Sequence, residues 1–558
     1  MSEPDPDRTA PDVTVVIPVY NAMPYLRRCL DSVLGQTIGL DRLQVVAVDD
    51  GSSDGGGDLL DDVAAACPDV FTVLHQPNSG GPALPCNRGL ELATGRWVYF
   101  LGADDYLSPT SLARLVDRGD AWGSDVIFGT MRGESGRFVD QRMYRRTRRD
   151  ITFLDSPLPY ALSNTKLFRR SLLDEHQIRY ALDLRVGSDQ PFTVEALIHA
   201  RRVSVLNDQV YYHAVKRDDA SNITYTMDWR TRLADIADVM AHIADVVEPG
   251  PLRDAVYTRH FTWEISKLLT RDLPTLAGTE QYDLLTSVTA LFELYDTPGL
   301  DARLGPRTRL RLRLAQTGQL ELLLKVVGYQ RMHRKPPLAV RDGVVHLWSP
   351  GLGSWSVDPR WYVFSPGKPH LYLAASLELT AAQVIADELE LVGRIGLTTD
   401  RADGLRLALM PLADDRDGPP GTRILTDEPD PPAEVAATLT AGDDGTASEF
   451  AVRLPLVPTL RTTRIDEGEQ RYSVRLRVPV TTGCYDLPVP AGDRGQQRIV
   501  RSALHVWQTT LRSDRTGALV LSIERLPVAR AVRAWTRRLR REPDAVAARS
   551  TTIHRLEE

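Results

Sequence analysis

Residues 13–20 read VTVVIPVY and residues 43–51 read LQVVAVDDG, and these two segments set the expectation for the fold. Each is an apolar run rich in β-branched residues that stops at a turn, which is the pattern of a buried strand. Between them, apolar residues recur at helical spacing from Leu26 to Leu34, which predicts a helix with one buried face. A buried strand, a helix and a second buried strand are typical of a parallel sheet covered by helices.

The same alternation continues along the chain. Further buried strands are predicted at 70–75, 97–101 and 125–129, with helices between them. The predicted fold class is therefore α/β. Because such a sheet binds its ligand at the carboxyl ends of its strands, we expect the functional loops to follow Val19, Val48, His75 and Leu101.

The pattern changes twice after this first domain, which is predicted to span residues 1–225. Residues 226–338 have helical periodicity and are predicted to form a helical connector. Residues 339–526 contain short alternating segments between turn-rich tracts, which predicts an all-β region of one or two immunoglobulin-like sandwiches. Residues 527–558 are predicted to form a basic helix and tail, and the helix suits either an anionic membrane surface or packing on the β region.

Composition narrows the classes of function. The net charge of -7 argues against a general nucleic-acid binder. No apolar run is long enough to span a membrane, and the start MSEPDPDRTAPD lacks the features of a secretion signal. The four cysteines are widely spaced, so neither a disulfide framework nor a zinc site is expected. The expected location is the cytoplasm, including the inner face of the cell membrane.

Polar loops follow the predicted strand ends. They are PVYN (18–21), DDG (49–51), NSGGP (78–82) with NRG (87–89), and GADD (102–105). The third is a glycine turn that opens a helix, which suits an anion. The fourth carries adjacent acids that repel each other unless a cation binds, and oxygen ligands suit Mg²⁺ or Mn²⁺. Taken singly, each loop also fits an ordinary turn or helix cap.

Together, the segments VVIPVYN, VDDGSSDG, NSGGPALPCNRGL, ATGRWVYFLGADD and RVGSDQPF resemble family 2 of the inverting glycosyltransferases, which have the nucleotide-sugar-binding GT-A fold. Five motifs in the family's order make the resemblance specific. It implies that Asp189 is the general base. It also implies that these residues bind the nucleotide sugar: Pro18, Val19, Tyr20, Asp50, Asn78, Arg88, Ala103, Asp104, Lys166 and Ser188.

The resemblance further implies a Mn²⁺ or Mg²⁺ ion, with Asp104, Asp105 and His213 as its ligands. His213 lies in residues 211–224, which resemble the loop that closes over the donor. A structural role fits His213 equally well, and the same holds for Lys166, which either contacts phosphates or heads an amphipathic strand or helix.

The chain departs from the family pattern at three positions. Gly102 stands where the family has the first acid of its metal motif. Cys86 stands where the family usually has arginine, with Arg88 nearby, and Ser188 stands where it often has glutamate. The base itself is retained.

Five arginines lie within eight residues. Such a run is usually a solvated face, but in a net-acidic enzyme it also suits a polyanionic acceptor. The predicted acceptor-binding residues are Arg142, Arg145, Arg146, Arg148 and Arg149.

The whole arrangement resembles the bacterial glycosyltransferases that decorate wall teichoic acid, in which C-terminal β domains help to form homotrimers. The expected partners are therefore a UDP-sugar donor, an anionic cell-envelope glycopolymer and further copies of the chain. The expected reaction transfers a hexose or N-acetylhexosamine to that polymer.

Two other functions remain open. A non-catalytic polymer-binding or scaffold protein with a degenerate transferase domain would explain Gly102 and Cys86. A nucleotidyltransferase on a similar sheet would need a basic N-terminal loop for a triphosphate, and the segment VIPVYNAMPY has no lysine or arginine.

Overall fold

The chain divides into two compact units in the computed structural model. One comprises Met1–Leu304 and Arg311–Leu320, and the other comprises Gly305–Leu310 and Glu321–Glu558. The predicted helix at 527–558 lies outside the described residues. The described residues are 11–217, 227–333, 337–341, 344–349, 352, 357–364, 369–385, 388–399, 405–411, 423–425, 433–441, 448–456, 469–480, 483–491, 496–501, 506–513 and 518–525.

The first unit is built on a mixed eight-stranded sheet with the order β3-β2-β1-β4-β7-β6-β8-β5. Strands β1 to β4 pair in parallel, whereas β7 is antiparallel to β4 and β6, and β5 is antiparallel to β8. The α/β prediction is confirmed, although the sheet is mixed, because β7 and β5 are antiparallel to their neighbours whereas β6 and β8 pair in parallel. The strands are β1 (Val13–Val19), β2 (Leu43–Asp49), β3 (Phe71–His75), β4 (Trp97–Phe100), β5 (Tyr106–Leu107), β6 (Val126–Glu134), β7 (Leu167–Arg169) and β8 (Val203–Val215).

Helices pack against this sheet. In the first of them, Leu26, Cys29, Leu30 and Val33 are buried, which is the apolar face that the sequence predicts. These side chains join the core formed by β1 and β2. The helices are α1 (Tyr25–Leu34), α2 (Gly56–Ala66), α3 (Ala83–Glu91), α4 (Ser111–Trp122), α5 (Arg170–Glu175) and α6 (Asp189–His199).

Strand β8 corrects one expectation. Residues 211–215, which we interpreted as the start of a closing loop, are the end of this 13-residue strand. They form a strand because Tyr212 to Val215 pair with β6 in parallel. Lys216 and Arg217 follow the strand, and the last part of that predicted loop, 218–224, lies outside the described residues.

Six α-helices lie between residues 229 and 332 in the part of the chain that is described. Helix α8 continues through two π-helical turns, Phe261–Ile265 and Leu268–Asp272. Gly318, with φ +67°, separates two of these helices. None of the described helices combines the length and apolarity needed to cross a membrane. The helices are α7 (Trp229–Val246), α8 (Pro251–His260), α9 (Thr279–Tyr295), α10 (Pro298–Arg303), α11 (Pro306–Gln316) and α12 (Leu320–Met332).

The second unit is mainly β structure, as the sequence predicts. Its described strands form a sheet with the order β10-β9-β13, a sheet with the order β11-β12-β18-β17, and a larger sheet with the order β15-β20-β19-β23-β22-β21 that also holds β14 and β16. The described pairs are antiparallel except for β9 with β13.

The bounds of these elements follow. They are β9 (Leu338–Arg341), β10 (Val344–Leu347), α13 (Pro369–Ser376), β11 (Glu378–Ile385), β12 (Glu388–Ile395), β13 (Leu397–Thr399), β14 (Arg406–Pro411), β15 (Arg423–Leu425), β16 (Ala433–Ala436), β17 (Thr438–Ala441), β18 (Ser448–Pro455), β19 (Glu469–Val480), β20 (Gly483–Pro488), β21 (Gln496–Arg501), β22 (Val506–Ser513) and β23 (Leu519–Arg525).

Helix α3 packs on β1 through Gly89. A Cβ atom at this position would lie 2.3 Å from Cγ1 of Val16 and 3.3 Å from its Cβ. A side chain at Gly89 would therefore push the helix, and the loop before it, away from the sheet.

We expect Gly89→Ala to lower the free energy of unfolding by about 1–3 kcal/mol, the usual cost of overpacking a core. In a Val16→Ala background the same substitution should cost less, because the clashing methyl groups are absent. A double-mutant cycle in chemical denaturation measures this difference. Equal costs in both backgrounds would show that the contact with Val16 is not the cause.

The control is Gly328→Ala in α12. Among the described residues, no heavy atom outside the local helix backbone lies within 4 Å of a Cβ placed at Gly328. This substitution should be neutral or stabilise by roughly 0.5–1 kcal/mol, because alanine is the better helix former.

Candidate functional site

The first two loops are joined by hydrogen bonds beyond the ends of β1 and β2. The N–H of Ser53 donates to Oδ1 of Asn21 at 2.9 Å, and the N–H of Asn21 donates to Oγ of Ser52 at 3.1 Å. Asn21 adopts a positive φ of 45°, which turns the chain sharply at this point. Pro18 and Val19 end β1, and the ring of Tyr20 is 49% exposed. Tyr20 therefore offers an accessible aromatic face at the sheet edge.

Asp50 connects the second loop to the third. Its buried carboxylate accepts hydrogen bonds from Nε2 of Gln76 at 2.5 Å, from the N–H of Ser79 at 3.0 Å and from Oγ of Ser79 at 2.9 Å. Gly51 has φ +78°, and a Cβ there would lie 2.9 Å from the backbone nitrogen of Asn78. Asp50 thus holds the two loops in a fixed arrangement, a role that the sequence analysis did not assign to it.

The third loop lies beside the segment that leads to α6. A Cβ at Gly81 would lie 3.2 Å from the backbone oxygen of Arg185. Asn87 is buried and both donates to the Tyr180 oxygen at 2.9 Å and accepts from the Tyr180 N–H at 2.8 Å. Arg88 is half-buried on the same helix.

Two further positions of this loop have local roles. The side chain of Asn78 is exposed and accepts from the N–H of Gly80 at 2.9 Å. Cys86, which replaces the family's arginine, is fully buried, and this burial raises the pKa of its thiol. Position 86 therefore presents no charge to a ligand.

The fourth loop holds two acids with different surroundings. Asp105 accepts from the hydroxyl of Tyr212 at 2.5 Å and from the N–H of Val215 at 2.7 Å. Burial, together with the charge of Asp104, raises the pKa of Asp105 to about 7. Asp104 is half-buried, and its Oδ2 accepts from Nε of Arg217 at 2.8 Å. The neighbouring Ala103 is buried.

His213 faces protein partners on both ring nitrogens. Nε2 lies 3.0 Å from Oγ of Ser108, and Nδ1 lies 2.8 Å from Oε1 of Glu134. Its ring also stacks on Tyr106, with 4.3 Å between centroids. These contacts give His213 a structural place between β5, β6 and β8.

The three predicted metal ligands are therefore not assembled as a set. Asp104 is ion-paired with Arg217, both oxygens of Asp105 accept hydrogen bonds, and the nitrogens of His213 are engaged. Across the part of the chain that the structure describes, no three His, Cys, Asp or Glu side chains are grouped so that they could hold a metal ion. These residues do not fit a metal ion held by protein ligands alone.

Asp189 is the first residue of α6 and follows Gly187, which has φ +78°, and the buried Ser188. Burial raises the pKa of its carboxyl, and the positive charges of Arg259 and Lys166 act in the opposite direction. The backbone N–H of Asn164 also lowers this pKa. Asp189 is thus a partly buried carboxylate with a raised pKa.

Lys166 is enclosed by the protein. Its side chain is buried, and its ammonium donates to the backbone oxygens of Ala161 at 2.7 Å and Ser163 at 2.5 Å. It also lies 4.9 Å from the ring centroid of Phe128. Burial lowers the pKa of Lys166 to about 7. The structure places this lysine as an internal support for the loop that carries Asn164, rather than as a phosphate ligand.

The arginine run is only partly compensated by carboxylates. Arg142 donates through Nε to Oδ2 of Asp140 at 2.8 Å and stacks on Tyr160 at 4.0 Å. Arg148 pairs with Asp155 at 3.3 Å. The side chains of three others are exposed: Arg145, Arg146 and Arg149.

Sequence reasoning missed Arg217 and Arg259. Arg217 donates to Asp104 and to the backbone oxygen of Asn21 at 3.1 Å. Arg259 donates to Oε1 of Gln190, the residue after Asp189, at 2.6 Å. The charged tract KRDD, which begins at residue 216, could have pointed to Arg217. The sequence of α8 contains no comparable feature that would have pointed to Arg259.

Two family profiles match this chain. Residues 14–177 match Glycosyl transferase family 2, and residues 231–327 match the Glycosyl transferase TarS linker domain. The first match covers β1 to β4, apart from Val13, and all four loops described above.

Curated relatives match the same N-terminal region. A poly(ribitol-phosphate) beta-glucosyltransferase of Bacillus spizizenii is 34% identical over 206 residues, which are 37% of this chain and 32% of that protein. The poly(ribitol-phosphate) beta-N-acetylglucosaminyltransferase TarS of Staphylococcus aureus is 36% identical over 205 residues, which are 37% of this chain and 36% of that protein. The matched segment thus spans about a third of the length of these two relatives.

Solved structures extend the likeness in fold. The crystal structure of S. aureus TarS superposes with a TM-score of 0.61 and 20% identity, over 93% of this chain and 86% of that one. A structure of TarS 1-349 in complex with UDP-GlcNAc gives a TM-score of 0.53 and 25% identity, over 63% of this chain and 99% of that one. The GT-A fold, the helical region and the C-terminal antiparallel sheets are confirmed by this likeness. Residues 14–177 thus form a family 2 glycosyltransferase domain and residues 231–327 a TarS linker domain, in a chain homologous to the poly(ribitol-phosphate) glycosyltransferases.

Proposed function

We propose that this protein is an inverting glycosyltransferase that moves a hexose or N-acetylhexosamine from a UDP-sugar to an anionic cell-envelope glycopolymer of the teichoic acid type. The observation that carries the proposal is the position of Asp189, a partly buried carboxylate with a raised pKa at the start of α6, which follows the segment 14–177 that matches family 2. The names of the relatives support the polymer class. The structure of TarS 1-349 with UDP-GlcNAc supports the donor class.

The chemistry requires a base of this kind. The acceptor hydroxyl attacks the anomeric carbon from the face opposite the diphosphate and transfers its proton to Asp189. The bond from the anomeric carbon to the diphosphate oxygen breaks, and its electron pair stays on that oxygen. Burial makes the Asp189 carboxylate more basic. No covalent intermediate is needed.

The donor is proposed to lie across the loops at the carboxyl ends of β1 to β4. Tyr20 offers an exposed ring to the base of the nucleotide, and Asp50 holds the second and third loops together through Ser79. We place the diphosphate of the donor beside the glycine turn after Asn78 and beside the half-buried Arg88.

The acceptor is proposed to bind along the arginine run. Arg145, Arg146 and Arg149 are exposed, and guanidinium groups bind phosphate oxygens in a bidentate manner. A cytoplasmic location, a homotrimer and membrane contact through residues 527–558 remain predictions.

A non-catalytic polymer-binding protein is the second candidate. The absence of the family's first metal-motif acid at Gly102 and the buried thiol of Cys86 favour it. Turnover separates the two candidates: the enzyme releases UDP from a UDP-sugar when acceptor is present, whereas a scaffold protein does not.

We expect Asp189→Asn to reduce acceptor-dependent UDP release by about 10²–10⁴-fold, the usual contribution of a general base. UDP affinity, measured by calorimetry, should change little. The control is Asp183→Asn, an exposed carboxyl that lies 3.1 Å from Nε2 of His242. Unchanged UDP release in Asp189→Asn would show that the assigned base is wrong.

The pH dependence follows from the same carboxyl. Because burial raises the pKa of Asp189 above 3.8, the active, deprotonated form is lost as pH falls through that raised value. The rate of the native chain should therefore rise with pH along an acid limb that lies above pH 3.8. Asp189→Asn should lose this limb.

Lys166→Met tests the internal lysine. Folded Lys166 releases its proton near pH 7 and the unfolded residue does so near 10.5, so the unfolded state binds more protons between these values. The native chain should therefore gain stability as pH rises from 7 to 10 relative to Lys166→Met. Denaturant unfolding of both proteins at pH 7 and pH 10 measures this gain. If the stability difference between the native chain and Lys166→Met were the same at both pH values, the burial of a neutral amine would be contradicted.

Arg145→Gln and Arg146→Gln should each raise the KM for a poly(ribitol-phosphate) acceptor by roughly fivefold, as the loss of about 1 kcal/mol implies. UDP affinity should not change. Arg148→Gln is the matched control and should have a smaller effect, because Asp155 already pairs with that arginine. Equal KM values for the three variants and the native chain would remove this run from the acceptor site.

A further inference from the structure

We propose that Arg217 supplies the positive charge beside Asp104 that the family's metal ion would otherwise bring, so that this chain binds the diphosphate of its donor without a divalent metal. The inference rests on the proposed function, because it concerns the same nucleotide site. It follows from three features of the fourth loop: an arginine on the acid, a glycine in place of the first acid, and a second acid turned inward.

The arginine bridges two of the site's loops. Nε of Arg217 donates to Oδ2 of Asp104 at 2.8 Å, and an Nη nitrogen donates to the backbone oxygen of Asn21 at 3.1 Å. The side chains of Arg217 and Asp104 are 20% and 19% exposed, so the pair lies partly within the site. A guanidinium in this place sits between the loop that follows β1 and the loop that follows β4.

Gly102 removes a carboxylate from this point. A Cβ at Gly102 would lie 3.1 Å from Oδ2 of Asp105 and 3.2 Å from Oδ1 of Asp104. An acidic side chain at Gly102 would therefore place a third carboxylate against the other two. Such a group of acids suits a divalent cation, whereas the present arrangement does not concentrate negative charge in this way.

Asp105 does not replace the missing acid. Its two oxygens accept from the hydroxyl of Tyr212 and the N–H of Val215. The carboxylate left beside the site is Asp104, and its charge is balanced by Arg217. A single carboxylate that is already paired with an arginine offers too few ligands for a divalent metal ion, but it can orient a guanidinium group.

A guanidinium can perform the electrostatic part of the reaction. It is planar, remains charged and donates to phosphate oxygens in a bidentate manner. When the bond to the anomeric carbon breaks, negative charge increases on the departing diphosphate, and a fixed positive group nearby stabilises that change. The proton of the acceptor hydroxyl still goes to Asp189, so atoms and charges balance.

The test is calorimetry of the full chain with UDP and with uridine, in EDTA and then in MnCl₂ or MgCl₂. We expect UDP to bind in EDTA, and either metal to improve its affinity by less than about threefold. Arg217→Ala should weaken UDP binding in EDTA by roughly 10–100-fold, the loss of about 1.5–3 kcal/mol expected for hydrogen bonds to a charged group. Uridine affinity should not change, because uridine has no phosphate.

Two further variants distinguish charge from loop support. Arg217→Lys should retain part of the UDP affinity, because it keeps the positive charge. Arg118→Ala removes an arginine that stacks on Trp122, and it should bind UDP as the native chain does. An equal loss of uridine and UDP affinity in Arg217→Ala would assign Arg217 to loop support and overturn the proposal.

The comparison of UDP binding in EDTA with UDP binding in MnCl₂ or MgCl₂ gives the other decisive outcome. UDP binding that is absent in EDTA and restored by Mn²⁺ or Mg²⁺ would also overturn the proposal, while leaving the proposed function intact. If neither UDP nor uridine binds in any of these conditions, the proposed function itself fails.

Discussion

The parallel pairing of β1 with β2 and β4 is the constraint on which the site depends. Val19 pairs with Asp49, and Asp49 pairs in turn with His75. Because parallel strands end at the same edge of a sheet, the loops that follow them must emerge side by side. The strands themselves are buried, so their register is fixed by packing on both faces. Four loops that are far apart in sequence therefore meet without a dedicated binding element.

Several carboxylates lie close together at this edge of the sheet, where they repel one another. Each of them has its own hydrogen-bond donor or positively charged partner. A buried carboxylate without a partner is costly, so each needs a donor or a positive group. The carboxylate of Asp49 accepts a hydrogen bond from the N–H of Ser52 and contacts the ring of His75. The contact with Asp49 raises the pKa of His75. The other acids have the partners already described: Ser79 and Gln76 for Asp50, Arg217 for Asp104, and Tyr212 for Asp105.

The sequence predicts what depends on local pattern. The apolar runs of β1 and β2 and the apolar face of α1 follow from side-chain periodicity alone, and the structure has them. Strand β8 was harder to predict, because Asn207 and Asp208 interrupt its apolar run and its pairing with the distant β6 shifts register at two points. Local pattern carries no information about such a partner.

For the site residues too, the sequence predicts positions along the chain but not the contacts between distant residues. The motif order places Asp50, Asp104 and Asp189 at strand and helix ends, and that is where they lie. Their partners are distant in sequence: Arg217 is 113 residues from Asp104. Lys166 and His213 look like ligands in the sequence because lysine and histidine commonly are, but the carbonyls and side chains that engage them come from other elements.

These partners make Asp104 and Asp189 unequal. An ion pair with Arg217 holds a guanidinium beside Asp104. Asp189 instead lies where burial makes its carboxylate more basic, with Arg259 and Lys166 limiting that effect. A group that must accept a proton benefits from the second environment, and a group that must help to hold charge on a phosphate benefits from the first. The division of roles that we propose for the two acids therefore depends on their surroundings, since the side chain is the same in both.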